Sequence, residues 1–240
     1  MYRGIKDFIS DYKEPFDRIK QATKKAKAAL KDRGEKATQK LIEEEMAVII
    51  AEWDRKTQYG EEAHKALNEQ ELRDNPNAIL HEYIKYTGEG EMNSLEENKL
   101  EKGITYLEKK IVSNHHHLIG YADKVEVTKD GFINITDHKT HDKIYRTSGF
   151  TIDNGFKVPP KLYFPPVNHL HACNFVDAAL QLSFYMYILW THNKKLKPGK
   201  LYINHVSLNE EGKILSTELI ETPYMREEVK ALLQAKKRTS

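Results

Sequence analysis

Near residue 100 the hydrophobic period of the chain changes, and that switch limits the architectures open to it. Before it, residues 16 to 67 repeat their apolar positions at helical spacing. The stretch DRIKQATKKAKAALKDRG is rich in helix formers and predicts a helix capped at Gly34. A second helix carries Leu41, Met46, Val48, Ile49, Ile50 and Trp53 as its apolar face, breaks at Tyr59-Gly60, and resumes in EEAHKALNEQEL. A further short helix is expected over residues 77–86, followed by a polar loop from 87 to 98. After the switch, YLEKKIVS, HLIGYADKVEV and GFINITDHKT alternate with period two and read as three strands. Asp130-Gly131 between the last two is a hairpin signal. FVDAALQLSFYMYILWTH is apolar almost all round, as a helix buried against a sheet must be. LYINHVSL and KILSTELIE form another strand pair, and PYMREEVKALLQAKK a last helix with proline in its first turn. Helices, three strands, helix, two strands, helix is the order of an α/β fold: a central mixed sheet flanked by helices. An N-terminal helical region over 1–100 packs on a core over 101–240.

Composition narrows the function classes. With 240 residues and 39% hydrophobic content the chain can bury a core without cross-links. One cysteine, Cys173, excludes an internal disulfide and any four-cysteine cluster, iron–sulfur included. No apolar run approaches the ~20 residues that span a bilayer, and MYRGIKDFISDYKEPFD has charges where a signal peptide needs its apolar stretch. A cytoplasmic protein with no membrane partner is expected. The net charge of +2 does not by itself point to nucleic acid, although residues 18 to 40 concentrate lysine and arginine.

The chemistry gathers at INITDHKTHDK. Asp137 and Lys139 share one face at the end of a strand whose other residues on that face, Ile133 and Ile135, are apolar. Acid-x-lysine is common in this chain, and most such pairs are solvated surface charges of little energetic weight. Asp137 differs because it emerges from a buried layer. A hairpin over Asp130-Gly131 pairs residues whose numbers sum to about 261, which sets Asp123 opposite His138 and brings two carboxylates together. Two such acids repel, and a divalent cation relieves the repulsion. Lys139 then stands beside an attacking water and a phosphate oxygen, the layout of metal-assisted phosphodiester hydrolysis.

Gly120-x-x-Asp123, Asp137-His138-Lys139-Thr140 and Gln181-x-x-x-Tyr185, in this order, resemble the PD-(D/E)XK nuclease superfamily, and within it the RecB-like branch and phage-encoded exonucleases. Gly60-Glu-Glu-Ala-His64 matches that branch's upstream histidine, and Glu108 its first-strand acid. The resemblance covers about residues 4 to 220 and implies a restriction-endonuclease-like fold with Asp123, Asp137, Lys139, Gln181 and Tyr185 as catalytic residues. It implies Mg²⁺ or Mn²⁺ held by His64, Asp123, Asp137 and the His138 backbone carbonyl. Glu108 would serve a second metal, and the histidine favours Mn²⁺. The activity implied is a DNA nuclease, exonucleolytic from ends or on single strands, in recombination and repair, in a host cytoplasm if phage-encoded. A non-catalytic DNA-binding accessory module and a structure-specific endonuclease are the alternatives on the same fold.

Residues 141 to 172 form a long proline-containing loop with Lys143, Tyr145, Arg146, Phe150, Lys157, Lys161, Tyr163 and Phe164. Two readings stand for it: a surface on which a strand stacks and pairs its phosphates, or a lid. Lys143, Tyr145, Arg146 and Lys161 are the candidate nucleic-acid contacts. His115-His116-His117 and His169-x-His171-x-Cys173 do not bring four ligands together and predict no zinc site.

Overall fold

The structure is a computed structural model that describes residues 1–81, 93–148, 152–153, 156–157 and 159–239. The elements are β1 (Arg3–Gly4), α1 (Ile5–Ser10), α2 (Arg18–Asp32), α3 (Gln39–Asp74), β2 (Ala78–Leu80) and α4 (Ser94–Glu97). After them come β3 (Thr105–Ser113), β4 (Leu118–Val127), β5 (Phe132–Lys139), β6 (Ile152–Asp153) and β7 (Phe156–Lys157). The chain ends with α5 (Asn174–His192), β8 (Lys197–Leu208), β9 (Ile214–Thr222) and α6 (Arg226–Thr239). One seven-stranded sheet has the order β2-β3-β4-β5-β8-β9, with β1 added parallel to β4. β3-β4-β5 and β8-β9 pair antiparallel, β5-β8 and β2-β3 parallel. This is the mixed sheet flanked by helices that the period switch demands.

The parallel β5-β8 pair forces a crossover, and α5 makes it. Thirteen of its 19 residues are buried, so it lies inside the main core with Ile111, Val125, Ile135, Ile203 and Leu232. Each fully buried Leu, Ile or Phe there contributes about 1.5–3 kcal/mol. α1 joins this core through Ile5, Phe8 and Ile9.

Local chemistry sets the helix ends. Asp17 accepts from the Lys20 N–H at the start of α2, and Glu35 N–H returns to Leu30 O past Gly34 at its end. α2 and the first half of α3 form a hairpin with a small core of its own, Ala26, Leu30 and Ile42.

Five expectations are corrected. α3 does not break at Tyr59-Gly60. It runs through for 36 residues, about 54 Å, because Gly60 serves a close approach: a Cβ there would lie 2.9 Å from Thr140 Oγ1. Residues 78–80 are a strand and not a helix. Asn75 ends α3 and bonds Thr105 Oγ1 at 3.0 Å, Pro76 blocks continuation, and the chain then pairs with β3. The remainder of that expected helix, 82–86, lies outside the described residues, as does 87–92 of the expected loop; Ser94–Glu97 within it is a single turn of helix. Pro223 precedes α6, whose first N–H bond, from Val229, returns to Met225. The β4-β5 register runs from Lys124↔Thr136 to Val127↔Ile133, one residue off the expected pairing. Residues 128–131 form a four-residue connection closed by Thr128 N–H to Phe132 O and Gly131 N–H to Thr128 O. Among the described residues no helix is long and apolar enough to cross a membrane.

Candidate metal and phosphodiester site

The corrected register brings the acids into line. Carried one step past Lys124↔Thr136, it sets Asp123 against Asp137. On the other side, Leu107↔Lys124 and Lys109↔Ala122 bracket Glu108 and set it against Asp123. Glu108, Asp123 and Asp137 therefore form one row across three neighbouring strands. Glu108 has left-handed backbone, φ 52°, a conformation that costs a non-glycine residue on the order of 1 kcal/mol or more and collects at functional sites. Its Oε1 accepts from Asn68 Nδ2 at 2.9 Å.

α3 supplies the fourth member. Gly60, His64 and Asn68 recur one turn apart, so they share a stripe facing the sheet end. His64 Nδ1 lies 3.8 Å from Asp123 Oδ2, and its ring meets the His138 ring edge-on at 5.4 Å. One ligand atom from each of His64, Glu108 and Asp123 lies within 4.8 Å of the other two. The His138 backbone also reaches this point: its N–H donates to Asp123 Oδ2 at 2.5 Å, and its peptide faces His64 closely enough to favour the imidazolium.

Asp137 is 1% exposed. The Lys139 ammonium pairs with its Oδ2, yet among the described residues no well-aligned hydrogen bond reaches that oxygen. Oδ1 accepts from Gln181 Nε2 at 3.3 Å, and the same amide donates to Tyr185 Oη at 2.7 Å. Gln181 and Tyr185 are four apart on α5, so one helix face carries both. Glycine at 120 lets Tyr185 sit down, since a Cβ there would lie 2.5 Å from Tyr185 Cε1. The first residue of G-x-x-D is thus a packing requirement of the last residue of Q-x-x-x-Y.

The electrostatics follow from burial and the crowding of like charge. Burial, then the neighbouring Asp137 charge, pushes the Asp123 carboxyl up to about 8. Burial also raises Asp137, but Lys139 and Lys6 outweigh it and hold that carboxyl below its ordinary range. Burial raises Glu108 against the opposing Asn68 bond. Burial keeps His64 below its ordinary value, so its imidazole is neutral and able to ligate. His138 falls to about 4 from burial and from His64; its Nδ1 lies 3.0 Å from Asn204 Nδ2. For Lys139 burial works downward, but Asp137 and Asp123 outweigh it and the ammonium is raised above the ordinary lysine value. Three half-buried or buried carboxyls beside a neutral imidazole form an O/N donor set suited to a hard divalent cation.

Two cavities flank the row. One of about 590 Å³ is lined by His64, Lys139, Thr140 and Gln181. The other, of about 1120 Å³, is lined by His64, Glu108, Asp123 and Tyr185. Lys6 and Glu61 line both. Sequence reasoning missed Lys6 and Asn68. The Gly60-His64-Asn68 spacing was a usable signal for Asn68; Lys6 carried none, since only the packing of α1 aims it at the row.

Of the expected nucleic-acid contacts, Lys143 and Tyr145 are exposed and their backbone is pinned by Asn174 at 2.7 Å each, a residue of the first cavity's wall. The Arg146 guanidinium lies over the Phe175 ring at 4.8 Å. Lys161 is paired to Glu14 at 2.8 Å. Tyr163 is buried on Asp177 and belongs to the core. Phe150 and the Lys157 side chain lie outside the described residues. His171 contacts Ser148 at 3.1 Å, while His169 turns to Glu228 at 3.3 Å.

No curated protein and no solved structure matches the chain. The family model for the PD-(D/E)XK nuclease superfamily matches residues 14–239. That span holds every member of the acid row together with Lys139, and with the mixed helix-flanked sheet beneath them it places the chain in the PD-(D/E)XK nuclease superfamily.

Proposed function

We propose that this chain is a divalent-metal-dependent DNA exonuclease of the RecB-like branch, acting from ends or on single strands in recombination and repair, as phage-encoded members do. Family membership supports the nuclease chemistry; the observation that carries the site assignment is the approach of His64, Glu108 and Asp123 to within 4.8 Å of one another beside the buried Asp137–Lys139 pair. In this reading the N-terminal region over 1–100 lends His64 to the core over 101–240.

His64, Glu108, Asp123, Asp137 and the His138 carbonyl would hold Mg²⁺ or Mn²⁺. A divalent cation bound there would supply Lewis acidity to the phosphate and lower the pKa of the attacking water. Lys139 is held protonated by Asp137 and Asp123, so it acts as a cation on the developing phosphate charge and not as a base. Gln181 fixes the Asp137 carboxylate through Oδ1 and is itself fixed by Tyr185, which leaves Oδ2 facing Lys139. The cavities on either side of the row give a strand room to pass across it.

Purified protein incubated with labelled linear and circular DNA, single- and double-stranded, in Mg²⁺, Mn²⁺ or EDTA tests this. Metal-dependent loss of linear DNA with circular DNA intact is the expected result. No metal-dependent loss of any substrate refutes the nuclease; cutting of circles refutes the exonuclease.

A further inference from the structure

α2 carries six basic residues against one acid, in the sequence RIKQATKKAKAALKD. At 100° per residue, Lys20, Lys24, Lys27 and Lys31 fall on one stripe rising about 16 Å. Ala22, Ala26 and Leu30, the residues packed onto α3, lie on another side. All four lysines are exposed, and none of their ammonium groups makes an ion pair or hydrogen bond among the described residues. The other basic residues of the helix are engaged. Arg18 binds Asp54 at 2.6 Å and the Ile50 carbonyl at 3.1 Å, and Lys25 lies 5.3 Å from the Trp53 ring.

Those Arg18 contacts fix where the stripe lies relative to the acid row. Asp54 stands ten residues before His64 on the same helix, about 15 Å away, and α2 runs outward from that level towards Glu45, which pairs with Arg33. Lys56, closer to the site along α3, lines the first cavity and is itself paired with Asp142 at 3.3 Å and Glu52 at 3.4 Å. The unpaired ammonium groups thus begin on α2, outward of the cavity wall.

We propose that the Lys20–Lys31 stripe binds the phosphate backbone of the DNA segment outside the cleft, about 5 to 10 nucleotides from the cut at 3.4 Å per nucleotide. This rests on the nuclease reading for its ligand. The occupant follows from charge: a regular row of unpaired ammonium groups complements a regular row of phosphates, and it carries no aromatic or amide group in the row with which to read bases.

The test compares wild-type protein with a variant carrying Lys→Gln at 20, 24, 27 and 31, which leaves helix propensity nearly unchanged. A Lys→Arg set at the same positions serves as control. Anisotropy with a 30-mer and an 8-mer DNA across a salt series is read in EDTA, so that the metal site contributes little. The Gln set is expected to bind the 30-mer roughly tenfold or more weakly, with a salt slope shallower by about 3. The Arg set should match wild type, and 8-mer cleavage in Mn²⁺ should be unchanged. An unchanged slope overturns the proposal, as does equal weakening on both lengths, failure of the Arg set to restore binding, or loss of binding to anionic vesicles with DNA affinity intact. Slope loss in a protein that cleaves no substrate in any metal supports the stripe and sinks the nuclease reading alone.

Discussion

Replacing Asp123 by asparagine should make the metal-free protein more stable while abolishing its response to metal. The Asp123 carboxyl is buried beside Asp137, and its pKa is pushed from 3.8 to about 8. Between those values the unfolded chain has lost the proton and the folded chain keeps it. Folded protein thus binds more protons than unfolded, and stability falls as pH rises, by at most ~1.4 kcal/mol per unit. Asp137, held low by Lys139, works in a different window: its contribution is present above pH 3.8 and is lost below it. The amide of the Asp123→Asn variant keeps an oxygen to accept the His138 N–H and removes the titration. Accumulated over the roughly four units between those values, the gain of the variant at pH 8 in EDTA is at most ~6 kcal/mol, enough to raise Tm by ~10 °C or more in a chain of this size, and it should vanish near pH 4. Adding Mn²⁺ should raise the wild-type Tm by mass action and leave the variant unmoved. Thermal melts at pH 4, 6 and 8, with EDTA or Mn²⁺, read all of this. A variant less stable than wild type at pH 8 in EDTA, or a gap independent of pH, refutes the claim that the acid row is strained without a cation.

Three further outcomes follow from the same geometry. Lys139→Ala should retain Mn²⁺ binding by calorimetry and DNA binding, while cleavage falls by about 10²–10³ because a cation at the developing charge is lost. Gly120→Ala should cost about 1–3 kcal/mol in urea melts by overpacking against Tyr185, with cleavage reduced as Gln181 loses its anchor; neutrality in both would mean Tyr185 is not seated there. Mn²⁺ affinity by calorimetry should rise from pH 6 to 8 with proton release, since binding must displace the Asp123 proton; a flat affinity would place the ligand elsewhere.

Much of this site was legible in one dimension. The period switch near residue 100, the apolar run of α5 and the Asp137-x-Lys139 pair at the end of a β-branched strand follow from side-chain alternation and burial, which are local properties. So does the pairing of Gln181 with Tyr185, which needs only the helical repeat. The convergence of Asp123 and Asp137 was legible from the hairpin, but their direct alignment, in one row with Glu108, was not, because it depends on a register that a four-residue connection shifts by one. Gly60 read as a helix break for a related reason: glycine is unfavourable in a helix by itself, and only the nearness of Thr140 across the fold makes it necessary. Residues 78–80 read as helix because an edge strand of three residues takes its conformation from its partner β3 and not from its own pattern. Sequence alone therefore determined which elements form and which candidate site residues they bear. Tertiary structure decided which of them meet, because carboxylates far apart in the chain are brought together only by strand register, and their shared charge exists only once they are buried side by side.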